Sequence, residues 1–136
     1  MNIRLFNALP NDAYKIRIKV FGDEQGFVDE IDKIDTVATH FVVYYDDTAV
    51  ATCRVFEKDN SYILGRFAVL KDYRKKGIGR FLLSEVEKYV KSKGYNSLFL
   101  HSQLRAVEFY KKCGYNTFGE IELEENYPHI WMEKTF

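Results

Sequence analysis

Apolar and polar side chains alternate along residues 2–8, the period of a half-buried strand. Pro10 and Asn11 then open a helix whose apolar positions Ile16, Val20 and Phe21 suit one face. Residues 22–39 lose the periodicity. They hold two glycines and six acids (Asp23, Glu24, Asp29, Glu30, Asp32, Asp35) against Lys33, and read as a loop with at most a short helix. Three β-rich runs follow, Phe41–Tyr45, Ala49–Phe56 and Tyr62–Val69, joined by turns at Asp46-Asp47 and Asp59-Asn60-Ser61. The period then changes: Ile78, Phe81, Leu82, Val86, Tyr89 and Val90 fall on one helical stripe, closed by Lys91, Lys93 and Gly94. Leu98–Leu100 reads as a short buried strand and Leu104–Cys113 as a second helix capped by Gly114. Two further strands lie near 115–123 and 129–135. The order is βα, three antiparallel strands, βαβα and two last strands. It predicts a mixed α/β sheet with one right-handed crossover rather than an all-parallel nucleotide fold.

Length fits this pattern to one domain over residues 1–136, large enough to bury a core without a disulfide or metal staple. Twenty basic side chains balance twenty acidic ones, which excludes a generally basic nucleic-acid binder. Eleven Phe and ten Tyr are too many for a disordered segment. Cys53 and Cys113 lie too far apart for a CxxC site. No apolar run approaches the roughly 18 residues of a membrane span. His40, His101 and His129 form no HExxH pair, so no metal site is expected. These features predict a soluble, cytoplasmic protein with neither nucleic acid nor membrane as partner.

Chemistry concentrates at residues 63–80. The strand ending at Val69 runs into a basic turn, then Gly77-Ile78-Gly79, then the amphipathic helix. Free N–H groups at that helix start and the helix dipole point at one anion. Gly77 and Gly79 let backbone approach it closely. Lys71, Arg74, Lys75, Lys76 and Arg80 add five cations within ten residues, so a pyrophosphate is the natural occupant. The bare spacing Arg74-x-x-Gly77-x-Gly79 arises by chance in roughly one such chain in ten. Its place between a strand and a long helix raises its weight. Alone, the glycines equally suit a plain tight turn.

A second segment, Ala106-x-x-Phe109-Tyr110-x-x-x-Gly114-Tyr115, lies one helix and one strand further on. The two segments in this order resemble the GNAT superfamily of acyl-CoA-dependent N-acetyltransferases. The resemblance extends to its small ElaA-like members through Val20-Phe21-x-x-Glu24-Gln25-Gly26, Asp32-x-x-Asp35, Gly65–Val69, His101-Ser102-Gln103 and Pro128-His129-Ile130-x-Met132. It implies a mostly antiparallel central sheet flanked by helices, with strands splayed at the cofactor site and a bulge near Arg66–Phe67. It implies acetyl-CoA as cofactor. Phe67, Ala68 and Val69 would pair with the pantetheine arm, and the amides of Lys75, Lys76, Gly77, Ile78, Gly79 and Arg80 would hold the pyrophosphate, helped by Arg74. Gln103, Ala106, Phe109 and Tyr110 complete the cofactor side. Gln103 departs from the Asn that many members carry.

The implied reaction is direct transfer of acetyl to an amine of a small-molecule or peptide acceptor. Alkylamines have pKa near 10, so the site must remove a proton. Tyr110 is the expected acid for the leaving thiolate; the bland reading of its ring is core packing. His129 and His101 are candidate bases, with Glu24, Glu30, Glu124 and solvent as alternatives. Glu24, Gln25, Glu30, Arg66, Glu124 and His129 are the expected acceptor contacts. The acids of 22–35 together with Glu120, Glu122, Glu124 and Glu125 would favour a cationic acceptor; Arg17 and Arg54 would instead suit a carboxylate or phosphate on it. Cys113, at a helix end, reads as core rather than nucleophile. A non-catalytic acyl-CoA-binding module is the alternative function, and pairing of the last strands leaves a homodimer open.

Overall fold

The computed structural model describes residues 1–28 and 31–136. Its frame is a seven-stranded sheet: β1 (Asn2–Phe6), β2 (Thr39–Tyr45), β3 (Thr48–Lys58), β4 (Ser61–Val69), β5 (Ser97–Gln103), β6 (Asn116–Glu124) and β7 (Tyr127–Thr135). The spatial order is β1-β2-β3-β4-β5-β7-β6, and every neighbouring pair is antiparallel except β4–β5. The mixed, mostly antiparallel sheet is thus present. The third meander strand is itself the strand that feeds the long helix, so the two predicted units share β4 instead of contributing separate strands.

Three hairpins turn through two residues with both φ positive: Asp46-Asp47, Asp59-Asn60 and Glu125-Asn126. These are the primed turns whose twist matches paired strands, and Asp and Asn tolerate them best.

Helix α1 (Asn11–Arg17) starts from Pro10, with no side-chain cap from Asn11, and continues into a π-helical turn, Ile18–Glu24. Both pack on one face of the sheet, where Ile16, Val20 and Phe21 meet Ala68 and Leu70. The acidic loop contains helix α2 (Lys33–Val37), with Asp32 and Asp35 as a reciprocal capping box. The opposite face carries α3 (Ile78–Ser92) and α4 (Val107–Lys112); a tight 3-10 turn, Leu104–Ala106, forms the first part of the predicted second helix. Ile78, Leu82, Leu83, Val86 and Val90 of α3 are buried against Phe41, Val43, Leu64, Leu98 and Leu100, which makes this the main core. Truncating such a side chain, Leu82→Ala for example, costs about 2–5 kcal/mol. Among the described residues no helix is long and apolar enough to cross a membrane.

Two irregularities make the site. Opposite Cys53, β4 places two residues, Arg66 and Phe67, between the pairs Thr52–Ala68 and Arg54–Gly65. This is the expected bulge, with Arg66 at φ 52°. The parallel pairing of β4 and β5 stops after Ile63–Phe99 and Leu64–Leu100. Beyond it β4 is held by β3 alone and β5 by β7 alone.

Candidate active site

A cleft of about 1040 Å³ opens where β4 and β5 part. Along its β4 wall, among the described residues, no strand pairs with Phe67 to Val69 on the β5 side, which leaves backbone there for an extended ligand, although the Val69 carbonyl already accepts from Arg74 Nε. At the end of β4 the chain turns into α3. Lys75 and Gly77 both take left-handed conformations, at φ 62° and 80°. No side chain caps α3. Among the described residues, no backbone N–H from Lys75 to Arg80 has a hydrogen-bond partner. Six N–H groups at a 15-residue helix start, with Lys75 and Arg80 lining the cleft, make an anion cradle.

The two glycines serve different ends. A Cβ on Gly77 would meet nothing, so this glycine supplies the positive φ. A Cβ on Gly79 would lie 3.2 Å from Phe109 Cζ and 3.7 Å from Phe67. Gly79 therefore admits the Phe109 ring, a packing role that the sequence reading did not assign it.

Tyr110 stands on α4 at the floor of the cleft, with its ring among Phe67, Phe109 and Tyr115. Burial, with Cys53 and Cys113 nearby, pushes its phenol well above the usual range. Among the described residues nothing hydrogen-bonds its hydroxyl. A phenol that stays protonated and uncommitted is suited to donate. Cys113 is half-buried beside the core, its thiol also raised by burial.

The β5–β7–β6 side carries the titratable groups. His101 stacks between His129 (ring centroids 5.1 Å) and Trp131 (4.7 Å). Glu124 sits between the imidazoles, Oε1 3.1 Å from His101 Nδ1 and Oε2 3.3 Å from His129 Nε2. His129 Nδ1 lies 2.9 Å from the Tyr127 carbonyl. His101 Nε2 lies 3.4 Å from Glu122 Oε1, within ion-pair range but off the line of a hydrogen bond. Among the described residues no group of His, Cys, Asp or Glu is arranged to hold a metal ion.

The structure brings Phe67, Ala68, Val69, Arg74, Lys75, Ile78 and Arg80 to the cleft with Gln103, Ala106 and Phe109. Gln25, Arg66, Glu124, His101 and His129 line it too. Lys76 does not; its ammonium lies over the Tyr73 ring at 5.7 Å. Glu24 also lies outside the lining and pairs with Arg74. Glu30 is outside the described residues. Gln103 spends its amide on protein, donating to Gln25 Oε1 (3.0 Å) and accepting from Arg105 Nε (2.7 Å).

Arg17 and Arg54 are not available to an acceptor. Arg17 grips both Asp35 oxygens (2.8 and 3.1 Å), and Arg54 reaches Asp35 and both oxygens of Asp32. Burial pushes both carboxyls up, but hydrogen bonds from Arg17 and Arg54 outweigh it and hold Asp35 well below the usual range; Arg54 does the same for Asp32. The acids of this segment are therefore matched internally more than their count implies.

Sequence reasoning gave no site role to Phe27, Ser102 and Arg105, which also line the cleft. Ser102 lies inside a motif stretch, and Arg105 falls between two of them. Phe27 packs on Tyr127 at 4.6 Å, a partner no local spacing points to.

Residues 6–115 match the acetyltransferase (GNAT) family. A Bacillus subtilis protein described as an acetyltransferase is 37% identical over 127 residues, 90% of this chain and 86% of its own. The chain belongs to the GNAT family of acetyltransferases. Solved GNAT-fold structures superpose over nearly the whole chain. One, described as an N-acetyltransferase from Lactobacillus plantarum, has a TM-score of 0.89 at 29% identity and covers 98% of this chain and 97% of its own. Escherichia coli ElaA has a TM-score of 0.85 over 98% and 99% of the two chains; at 23% identity it speaks for the fold alone. As a GNAT enzyme the chain is an acetyltransferase with acetyl-CoA as cosubstrate. Its residues fit that molecule: an unpaired β4 edge for the amide-bearing arm, six free N–H groups for the pyrophosphate, and room enough between them.

Proposed function

We propose that this enzyme acetylates a primary amine of a small or peptidic acceptor, by direct attack within a ternary complex. The observation that carries the proposal is the uncommitted Tyr110 hydroxyl in the β4–β5 cleft, which His101, His129 and Glu124 also line. Bound acetyl-CoA supplies an activated acyl carbon and a thiolate leaving group.

The protein has four tasks. Phe67, Ala68 and Val69 offer backbone to the pantetheine arm, and the N–H groups from Lys75 to Arg80 hold the pyrophosphate, with Arg80 and Lys75 adding charge. Glu124 and Glu125 line the cleft and draw the acceptor in its ammonium form. The amine becomes a nucleophile only after losing a proton. His129 takes it, its imidazole held by Glu124 and the Tyr127 carbonyl. Glu124 and His101 then lead toward Glu122 and solvent. Tyr110 gives its proton to the departing sulfur. Gln25, Arg66 and the rest of the acceptor side shape the approach. A cytoplasmic setting accords with two unpaired cysteines.

Replacing the phenol tests the assignment. Tyr110→Phe lowers kcat by about 10²-fold, within the usual range for a positioned acid, and leaves the acetyl-CoA KM in place. An unchanged kcat across pH overturns the acid role. Acceptor-dependent CoA release over an amine panel separates the enzyme from a module that only binds acyl-CoA.

A further inference from the structure

Glu24 places a carboxylate beside the anion cradle, where Coulomb's law makes it a liability. It ends the π-helical turn, and its two oxygens each accept a hydrogen bond from Arg74, at 2.9 Å. Arg74 Nε donates to the Val69 carbonyl, also at 2.9 Å. Three of the five guanidinium N–H groups are thus turned to protein. The contact spans 50 residues of sequence, from the α1 side of the molecule to the turn before α3.

That turn needs holding. Lys75 is a non-glycine residue in the left-handed region, and Gly77 follows in the same region. Residues 74 to 77 are exposed and bury nothing that would fix them. The last backbone bond before the free N–H run is Arg74 N to Lys71 O, at 3.3 Å; the next is Phe81 N to Gly77 O. Between them the Arg74 side chain is the anchor, and Glu24 is what it is anchored to.

We propose that Glu24 is a positioning residue for acetyl-CoA: acting through Arg74, it sets the Val69–Gly77 turn so that the N–H groups beyond it converge on the pyrophosphate. This reassigns Glu24 from the acceptor to the cofactor side. It rests on acetyl-CoA as cosubstrate and not on the roles given to Tyr110 and His129.

The sign of the effect decides. If Glu24 acted only through its charge, removing it would tighten binding of the polyanion. If it positions the turn, removing it weakens binding. The experiment is calorimetric titration of CoA into the intact chain, with no acceptor present, for wild type, Glu24→Ala, Glu24→Gln, Arg74→Ala and the double Glu24→Ala/Arg74→Ala. The expected result is a loss of about tenfold in CoA affinity for each single alanine variant, as small misplacements of a binding group produce. The double variant is expected to be no weaker than the singles, because the pair acts as one unit. Glu24→Gln keeps the size, loses the bidentate acceptor and falls close to Glu24→Ala. In turnover, the acetyl-CoA KM rises by the same factor while kcat and the amine KM stay within about twofold, a split that general loss of structure would not give.

Equal or tighter CoA binding by Glu24→Ala overturns the proposal. So does a raised amine KM with unchanged CoA affinity, which assigns Glu24 to the acceptor. Additive losses in the double variant also overturn it, and assign Arg74 directly to a phosphate. A wild type that does not bind CoA overturns the cofactor reading itself and this pair with it.

Discussion

Arg17, Arg54, Asp32 and Asp35 form one charge cluster at the cleft; His101, His129, Glu122 and Glu124 form another. In the first, both arginines and Asp35 are nearly inaccessible, and the contacts run from 2.7 to 3.1 Å. In the second, Glu122 and Glu124 are half exposed or more, and the contacts lengthen to 3.1–3.4 Å. Short, mostly buried ion pairs favour the ionised forms of Asp32 and Asp35 and tie α2 and its loop to β3. In the looser cluster the carboxylates reach solvent and the imidazoles line the cleft, the arrangement that the proposed proton transfer uses. A count of acids along a segment does not separate these cases.

The sharpest way to break the contrast is to leave the buried cluster one carboxylate short. Asp35→Ala removes the buried carboxylate that Arg17 and Arg54 share and is expected to cost about 3–5 kcal/mol of stability in urea unfolding. A loss under 1 kcal/mol would show the first cluster to be no more structural than the second. Next in size, His129→Gln, which keeps bulk and polarity, lowers kcat by about 10²-fold while the thermal midpoint barely moves. A variant with full activity but a lowered midpoint would make His129 a packing residue.

The buried cluster and the histidine beside it also carry a pH signature. Burial, the dominant cause, holds neutral His40 below its ordinary 6.5, and its ring lies 2.9 Å from the Asp35 carbonyl. The unfolded chain therefore binds the extra proton, and stability declines as pH falls below 6.5. Asp32 and Asp35 are held below their ordinary 3.8, so their contribution is complete above that value and is lost as pH falls further. Thermal midpoints across pH 7 to 3 are expected to show both stages, and Asp35→Asn to flatten the lower one. The smallest effect belongs to Glu122→Gln, within about 0.5 kcal/mol in stability, because exposed pairs of this length contribute little.

What the sequence made legible was local. The cradle lies within about twenty consecutive residues, and each part leaves its own mark: an alternating strand, clustered cations, Gly77, then the stripe from Ile78 to Val90. The Asp46-Asp47 and Asp59-Asn60 turns were equally legible, since these residues tolerate positive φ. Glu125-Asn126 was not, because glutamate seldom takes that conformation. The misreadings involve partners supplied from afar. Arg17 and Arg54 looked like substrate anchors because Asp35 lies 18 and 19 residues from them and meets them only through folding. The packing role of Gly79 was hidden because Phe109, whose ring it admits, comes 30 positions later. His101 and His129 converge through the register of β5 with β7, which pairs Gln103 with His129 and which no spacing announces.

The sheet order has a consequence for biosynthesis. From β2 to β5 each new strand pairs with its predecessor, which has already been made. β6 breaks that habit: it occupies an outer edge that does not exist until β7 has been translated and slotted between it and β5. Until then β5 presents an open edge and β6 has no partner, a state in which nascent chains associate wrongly. The strand that closes this gap also brings His129, so an emerging chain gains the proposed proton acceptor in the same event that seals its sheet.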